Sequence, residues 1–366
     1  MDRRRWGHRR YRMKLAMDLR QEILDIPRAL GETLEKGRAE YDALVRQTRW
    51  GDGPVFMVGS GASLVAGLTG AYAFESLLGW PVVVREAALF EAYSASVLRP
   101  RSVLVALSES GESAETLAVA RMARSHGAKV LAFTTQAQSA LAKMADGVFL
   151  VRAGEEAGAG ARTAVCQQAA LSYVALVAAR ALKRHQPQTD ALEAEFEKLP
   201  ESVEWALTQF GDAVRSFASE LQARQSLHVV GGGFYHPAAL HWAGLLQKLT
   251  GIDARGHEAQ EFAHGLLEKL GPDTTIVFLS GSRCRLKRQI HLLAESARKA
   301  RASIFAVTDG NDRELADRSQ LAVLLPMLSE MVGASVSLAL LDWVAYHAAR
   351  QPQHAPHSSR PKSAKA

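Results

Sequence analysis

The chain has 366 residues, 48% of them hydrophobic and 22% charged, which is enough for two domains that each bury a full core. Its net charge of +6 lies in the two ends: residues 1–12 carry +5 and residues 350–366 carry +4, which leaves −3 on the rest. Because a nucleic-acid-binding protein carries its basic charge on a folded face, this distribution excludes nucleic acid as an expected partner.

The N-terminal residues are predicted to form a basic arm and a helical lead-in. Residues 1–17 contain arginines but no apolar segment behind them, unlike a secretory signal. Residues 18–48 follow as the helical lead-in, which we expect to break near Pro27. The first domain is then predicted to cover residues 49–183.

Two similar halves follow one another along the chain. In the first half, PVFMVGSGAS contains Gly59, and VLVAL precedes Ser108; in the second, SLHVVGGGFY contains Gly231, and TIVFL precedes Ser280. The separation from glycine to serine is 49 residues in both halves. Further on, AKVLAFTT corresponds to ASIFAVTD, and GVFLV corresponds to LAVLLP. Four corresponding elements in the same order indicate a tandem duplication.

Short runs of Val, Leu, Ile and Phe alternate with longer helical stretches such as ESAETLAVARMARSHG. This alternation predicts parallel strands joined by crossover helices, and the uniformly apolar runs indicate strands buried on both faces. The predicted fold class is therefore α/β, with two doubly wound parallel-sheet domains in tandem. The polar stretch 182–190 is the predicted connection. Residues 184–225 are assigned to a linker and helix, 226–349 to the second domain and 350–366 to a C-terminal tail.

The stretch SESGESAET, residues 108–116, lies where a strand is predicted to end and a helix to begin. Ligands of open α/β sheets bind beyond the carboxyl ends of strands, and the free N–H groups of a helix N-terminus attract anions. Gly111 is expected to let the backbone approach such a ligand closely. The alternative is helix capping by Ser110 or Ser113, with Glu112 in the first turn. The residues alone leave both interpretations open.

Other motifs predict no cofactor, metal or membrane segment. The glycines of GSGASLVAG lack the spacing of a dinucleotide fingerprint. The two cysteines lie far apart, so neither a disulfide nor a cysteine metal site is expected. The most apolar run is interrupted by Glu330 and Asp342 and is interpreted as a buried helix. The histidines that show no metal-binding spacing are His228, His236, His241 and His257.

The order of GSGAS, SESGESAET and RAGEEAGAGARTA resembles that of the SIS (sugar isomerase) domain family. GGGFYHPAALHWAGLLQKLTGIDARGHEAQEFAHG is similar to the second SIS domain in the isomerase part of glucosamine-6-phosphate synthase and its stand-alone relatives. The most specific parts are the Ser-x-Ser-Gly-x-Ser loop and the Glu-x-x-His-Gly element. The resemblance covers roughly residues 20–365 and implies two flavodoxin-like SIS domains that bind a sugar phosphate.

The resemblance also implies binding residues. The residues expected to hold the phosphate are Ser108, Glu109, Ser110 and Ser113. The residues expected near the sugar are Ser60, Gly61, Ala159, Ala161 and Lys248. Alanine at position 161, where relatives often have serine, removes one hydroxyl contact. The second half carries SGSRCR in place of the Ser-Gly-x-Ser pattern, so one phosphate site per chain is expected.

Catalytic groups follow from the same resemblance. Family enzymes open the sugar ring with a histidine, often from the neighbouring subunit, and carry protons with a glutamate; some add a lysine from the C-terminal tail. His264 and its neighbour Glu261 match the histidine element, and Lys362 is the expected tail lysine. Lys248 stands where the glutamate is expected, and an ammonium cannot replace a carboxylate without a heavily depressed pKa. The carboxylates that remain as alternatives are Asp253, Glu258, Glu261 and Glu156.

The expected function is that of a phosphosugar enzyme, an aldose–ketose isomerase or a deaminase acting on an (amino)hexose 6-phosphate. We expect no glutamine amidotransferase domain beside it. The alternatives are a catalytically silent sugar-phosphate sensor, which Lys248 favours, and a fructosamine-phosphate deglycase. A homodimer is expected because the family shares its histidine between subunits. We also expect a cytoplasmic location and no cofactor, nucleic-acid partner or membrane partner.

Overall fold

The computed structural model describes most of the chain between the predicted arm and the predicted tail. The described residues are 19–50, 53–156, 158–184, 186–222 and 224–350. The arm (1–17) and the tail beyond residue 350, with Lys362 in it, lie outside the described residues.

The first half forms a five-stranded parallel sheet. Its strands are β1 (Val55–Gly59), β2 (Val82–Glu86), β3 (Val103–Leu107), β4 (Lys129–Thr134) and β5 (Gly147–Leu150). They lie in the order β2-β1-β3-β4-β5. Every residue of β1 and β3 is buried, since helices cover both faces of the central strands.

Helices surround this sheet and begin before it. They are α1 (Ile26–Gln47), α2 (Ala62–Leu78), α3 (Ala87–Tyr93), α4 (Ala114–Ser125), α5 (Ala140–Met144) and α6 (Ala161–Ala181), with a 3-10 turn at Ala95–Val97. Residues 19–24 are also helical, and Asp25 separates them from α1. The helical lead-in is interrupted at Asp25, so the predicted break near Pro27 is confirmed. Pro27 itself lies in the first turn of α1, where a helix needs no N–H donor.

Three helices connect the halves: α7 (Gln186–Glu197), α8 (Leu199–Gln209) and α9 (Gly211–Gln222). The predicted connection at 182–190 is therefore shorter than expected, because α7 begins inside it. Pro187 does not prevent this, since it occupies the first turn of α7.

The second half repeats the first. Its strands are β6 (Ser226–Gly231), β7 (Asp253–Glu258), β8 (Thr275–Leu279), β9 (Ser303–Asp309) and β10 (Leu321–Leu325), all parallel, in the order β10-β9-β8-β6-β7. Its helices are α10 (Tyr235–Thr250), α11 (Ala259–Leu266), α12 (Lys287–Lys299), α13 (Arg313–Arg318) and α14 (Glu330–Arg350), with a 3-10 turn at Leu267–Lys269. Counted from its own first strand, this sheet has the strand order of the first sheet. The predicted fold of two doubly wound domains is confirmed.

One hydrophobic core joins the two halves. Helices α6 and α14 contact each other, while α2 packs on α6 and α10 packs on α14. Both α6 and α14 have the length and composition of a membrane-spanning helix, yet 89% of the apolar window of each is buried inside the protein. The interpretation of the run containing Glu330 and Asp342 as a buried helix is confirmed.

Candidate functional site

The loops after β1 and β3 lie side by side at the carboxyl edge of the first sheet. Strand order reverses between these two strands, and such a switch point is where doubly wound sheets bind ligands. Gly61, with φ +56°, ends the first loop before α2. Beside it the Ser60 hydroxyl donates to Glu86 Oε1 at 2.7 Å, so its oxygen is oriented by the end of β2.

Hydroxyl groups in the β3 loop bond to the loop itself. Ser108 is buried, and its Oγ accepts the N–H of Gly111 at 3.1 Å and lies 2.9 Å from Ser113 Oγ. Ser110 Oγ accepts the N–H of Glu112 at 3.2 Å. The N–H groups of Ser110 and Ser113 donate to no described residue. These free donors, beside the first turn of α4, form an arrangement suited to an anion.

Simple helix capping does not account for this loop. Ser113 is the N-cap residue of α4, but its hydroxyl makes no capping bond and instead faces Ser108. Glu112 lies before α4 rather than in its first turn, and its carboxylate accepts the N–H of Ala140 at 2.8 Å, at the start of α5. The side chains that the capping interpretation assigned to α4 therefore bond elsewhere.

The backbone conformation and packing at position 111 require glycine for a reason that the sequence did not reveal. Its φ of +65° favours glycine, and a Cβ on it would lie 2.0 Å from Ser139 Oγ and 2.4 Å from Ser139 Cβ. Ser139 is the N-cap of α5, and its Oγ accepts the N–H of Ala142. Close packing against α5 requires glycine here, in addition to the expected approach to a ligand, which stays a prediction.

Glu109 anchors the loop through its backbone. Its carbonyl accepts the hydroxyl of Thr134 at 2.9 Å and the N–H of Thr135 at 3.1 Å, which ties the loop to the end of β4. The side chain is exposed overall, but partial loss of water around the carboxyl raises its pKa. The nearby Glu22 carboxylate raises the pKa further, and the Lys248 ammonium opposes this shift.

Lys248 joins the two domains at this site. It lies in the last turn of α10, and its Nζ donates to the carbonyl oxygen of Gly158, in the loop before α6. The ammonium also lowers the pKa of Glu109, so its charge acts on the β3 loop. The fold thus brings Lys248 to the first domain's loops, although it belongs to the second half of the sequence.

The loop before α6 carries a buried carboxylate. The Glu156 side chain is only 1% exposed; its Oε1 accepts the N–H of Thr163 at 3.0 Å and lies 3.8 Å from Arg162 Nε. Its Oε2 has no hydrogen-bond partner within the described chain. Burial, with a smaller effect of Glu109, raises the pKa of Glu156, while the Thr163 bond lowers it. Ala159 and Ala161 are both buried nearby, so a ligand would meet their backbone rather than their side chains.

His264 and Glu261 occupy a separate place on α11. Both residues are exposed, and neither side chain has a hydrogen bond or ion pair with another described residue. Glu258 is the N-cap of α11, and its Oε2 accepts the N–H groups of Gln260 and Glu261. The structure does not join His264 to the β3 loop within one chain.

The corresponding loop of the second domain, residues 280–286, is filled by the protein's own carboxylates. The N–H and hydroxyl of Ser282 donate to Asp309 Oδ2 at 2.6 and 2.9 Å. The N–H of Arg285 donates to Glu330 Oε1. Among the described residues, no carboxylate accepts a bond from the loop 108–113. Carboxylates at this place repel a phosphate, which supports one phosphate site per chain.

A buried carboxyl behind the site was not foreseen from the sequence. Asp342 on α14 is 0% exposed, and neither of its oxygens has a partner in the described part of the chain. Burial raises its pKa well above the usual value, and Glu156 and Glu22 add to this. On α10, burial lowers the pKa of His241 to about 4, assisted by Lys248. An acid within an otherwise apolar helix was the available signal.

Two histidines meet across neighbouring strands. His228 Nδ1 on β6 lies 3.0 Å from His257 Nε2 on β7, although the sequence offered no pairing between them. Within the described ranges, no group of three or more His, Cys, Asp or Glu residues could hold a metal ion. These histidines are 29 positions apart in the sequence, and the pairing of β6 with β7 brings them together.

Comparison with known proteins identifies a matching family and several relatives. A family model described as SIS domain matches residues 52–179 and 220–350. The isomerizing glutamine–fructose-6-phosphate aminotransferase of Thermococcus kodakarensis is 30% identical over 332 residues, covering 90% of this chain and 54% of that protein. The enzyme of the same name from Vibrio cholerae is 30% identical over 356 residues, covering 94% and 56%. The chain thus spans about half the length of the curated relatives it matches.

Solved structures share the fold at lower identity. The C-terminal domain of glucosamine-fructose-6-phosphate aminotransferase from Francisella tularensis superposes with a TM-score of 0.82 at 22% identity, covering 91% of this chain and 95% of that one. A glucosamine-6-phosphate deaminase from Thermotoga maritima gives 0.70 at 16% identity, covering 91% and 94%. These likenesses establish the fold.

Proposed function

The chain belongs to the SIS domain family, and from that premise we propose that it is an enzyme acting on an (amino)hexose 6-phosphate, as an isomerase or a deaminase. The observation that carries the proposal is the asymmetry of the two domains. The loop 108–113 keeps free N–H donors at the carboxyl end of β3, whereas carboxylates occupy the loop 280–286. A phosphate fits the first loop and is repelled from the second.

The bound sugar phosphate extends from the β3 loop toward the domain interface. The phosphate accepts hydrogen bonds from Ser110 and Ser113, beside the N-terminus of α4. The sugar lies near Gly61 and the backbone at Ala159. Lys248 is held at the neighbouring Gly158 carbonyl, from which its ammonium can stabilise negative charge on a sugar oxygen.

Proton transfer requires a carboxylate, and Lys248 occupies the position where the resemblance predicts one. Isomerisation moves one proton between C1 and C2 and a second between the oxygens on these carbons, so one group can take and return the carbon-bound proton; deamination also consumes water and releases ammonia. Asp253 pairs with Arg255 at 2.9 Å at the start of β7, the wrong end of the sheet, and Glu258 caps α11. We assign the proton-carrying role to Glu156, because its Oε2 has no partner among the described residues and its raised pKa favours accepting a proton.

Matched glutamine variants test this assignment. Glu156→Gln is expected to lower kcat at least about 100-fold, the low end of general acid–base contributions, with little change in sugar-phosphate affinity. Glu155→Gln is the control, because Glu155 precedes Glu156 in the sequence and is exposed. Equal activity of the two variants contradicts the role of Glu156 and leaves exposed Glu261 as the remaining carboxylate.

The function itself is tested by following the reaction. The protein is incubated with fructose 6-phosphate or glucosamine 6-phosphate, and sugar isomers and ammonia are measured by NMR. We expect turnover, and its loss in His264→Ala. Thermal stabilisation by the sugar phosphate without turnover, abolished in Ser110→Ala, contradicts an enzyme and supports the sensor, the alternative that Lys248 favours.

A homodimer accounts for the exposed position of His264, which we assign to ring opening in the partner's site. Lys362 is the proposed tail lysine. Mixing inactive His264→Ala with inactive Ser110→Ala is then expected to restore activity, because one site of each mixed dimer has both groups. No recovery, in a mixture whose subunit exchange is demonstrated, contradicts the shared site. We also place the protein in the cytoplasm, where its two free cysteines stay reduced.

A further inference from the structure

A basic groove lies at the opposite edge of the first sheet from the β3 loop. The groove has a volume of 520 Å³ and is bordered by the amino ends of β3 and β4, where Val103 pairs with Lys129. Four cationic side chains from separate segments line it: Arg49, Arg101, Arg124 and Lys129.

These cations lack carboxylate partners. None of the four has a carboxylate within 4.0 Å among the described residues, although arginines elsewhere in the fold are widely ion-paired, as Arg152 is with Glu40. Among the described residues, Asp146 is the one acidic residue in the lining, and its Oδ2 accepts the N–H of Val130 at 2.8 Å. The described residues of the lining therefore carry a net +3, in a chain whose residues 13–349 carry −3.

Two contacts fix the shape of the groove. The Arg124 guanidinium donates to the carbonyl oxygen of Met144, which holds it over the groove. Gly127, with φ +72°, turns the chain between α4 and β4 and packs against Pro100, another lining residue. The volume falls within the range of small-molecule sites, and guanidinium groups match phosphate oxygens in a bidentate manner.

We propose that this groove binds a small molecule with two phosphate groups. Each phosphate monoester carries about −1.5 to −2 at pH 7, so two of them match the net +3 of the lining. The site is separate from the β3 loop: five residues of strand, Val103 to Leu107, lie between them, a length of about 17 Å. The chain would thus hold a second ligand at the amino edge of the sheet that carries the sugar phosphate.

Pyrophosphate titration by calorimetry tests the proposal. The parent is expected to bind pyrophosphate, and Arg101→Ala/Arg124→Ala is expected to bind it at least about 10-fold more weakly, since each guanidinium–phosphate bond is charge-assisted. The control is Arg288→Ala/Arg313→Ala, which removes the same charge from exposed positions of the second domain. Ser108→Ala/Ser110→Ala is expected to retain pyrophosphate binding, which separates this groove from the β3 loop.

Three outcomes overturn the proposal: no pyrophosphate binding by the parent, equal losses in the two arginine double variants, or loss of all binding in the serine variant. A single-stranded RNA oligonucleotide is titrated in parallel. RNA binding without pyrophosphate binding contradicts a small-molecule site. Thermal melts of every variant establish that each remains folded.

Discussion

Small changes at single positions decide what the β3 loop can hold. A Cβ on Gly111 would clash with Ser139. Glu109, within the same loop, has a raised pKa. Ser113 turns its hydroxyl to Ser108 rather than to α4. At this scale, the loop is shaped by packing against α5, and its free N–H groups are a consequence of that shape.

Replacing Gly111 by alanine should disrupt the loop. The positive φ and the 2.0 Å approach to Ser139 predict a loss of about 1–3 kcal/mol in the free energy of unfolding, measured by urea denaturation, and weaker binding of fructose 6-phosphate. Gly31→Ala is the matched control, since nothing lies within 4 Å of its added Cβ in α1. That variant should gain about 0.5–1 kcal/mol. Equal effects of the two substitutions would be inconsistent with the packing argument.

The resemblance places Glu109 among the phosphate-binding residues, yet its carboxylate repels an anion, so removing that charge should strengthen phosphate binding. Glu109→Gln is expected to bind fructose 6-phosphate about 2- to 5-fold more tightly, the scale of an exposed charge interaction. Because the pKa of Glu109 is raised, its carboxylate gains a proton as the pH falls, and the affinity ratio of variant to parent should approach one. Glu91→Gln, on exposed α3, serves as the control. A ratio that does not change with pH would count against this role.

Elements repeat between the halves, but their loops do not. The parallel, doubly wound sheet of each half could be predicted from alternating apolar runs, because the central strands are buried on both faces. The loop contents could not, since they depend on contacts distant in sequence: Glu195 of α7 accepts the N–H of Ser329 at 2.7 Å, and Lys248 reaches Gly158. The pairing of His228 with His257 likewise required the register of β6 and β7.

In the second domain, Asp309 is expected to stabilise the loop 280–286. Asp309→Ala leaves the N–H groups of Ser282 and Asn311 without their acceptor, which should cost about 1–3 kcal/mol in urea denaturation. Asp273→Ala, at an exposed turn, should stay within about 0.5 kcal/mol of the parent. Equal stability of these two variants would show that the carboxylate does not hold the loop.

Across the whole molecule, the two domains share one core and one polar seam. Lys248 reaches the first domain from α10, and Asp342 lies buried on α14 close enough to Glu156 and Glu22 for their charges to act on it. The seam places the groups of the proposed site between the domains, so both halves are needed for it although only the first provides the phosphate loop.

Asp342 should make stability depend on pH. Since its folded pKa lies above its unfolded value of about 3.9, the folded state binds the proton more tightly; its contribution is greatest at low pH and is lost as the pH rises through the folded pKa. Asp342→Asn should flatten the resulting decline, by at most about 1.4 kcal/mol per pH unit, in urea denaturation as the pH is raised from about 4. Parallel pH curves for parent and variant would exclude this contribution.

The central claim is that the first domain's loop, and not its second-domain counterpart, holds the phosphate. Calorimetry with fructose 6-phosphate on two matched double variants tests it most directly. Ser108→Ala/Ser110→Ala should weaken binding at least about 10-fold, because the hydroxyl bonds that shape the loop around its free N–H groups are lost. Ser280→Ala/Ser282→Ala, at the corresponding positions after β8, should leave the affinity unchanged. Weaker binding in the second variant with full affinity in the first would contradict the account.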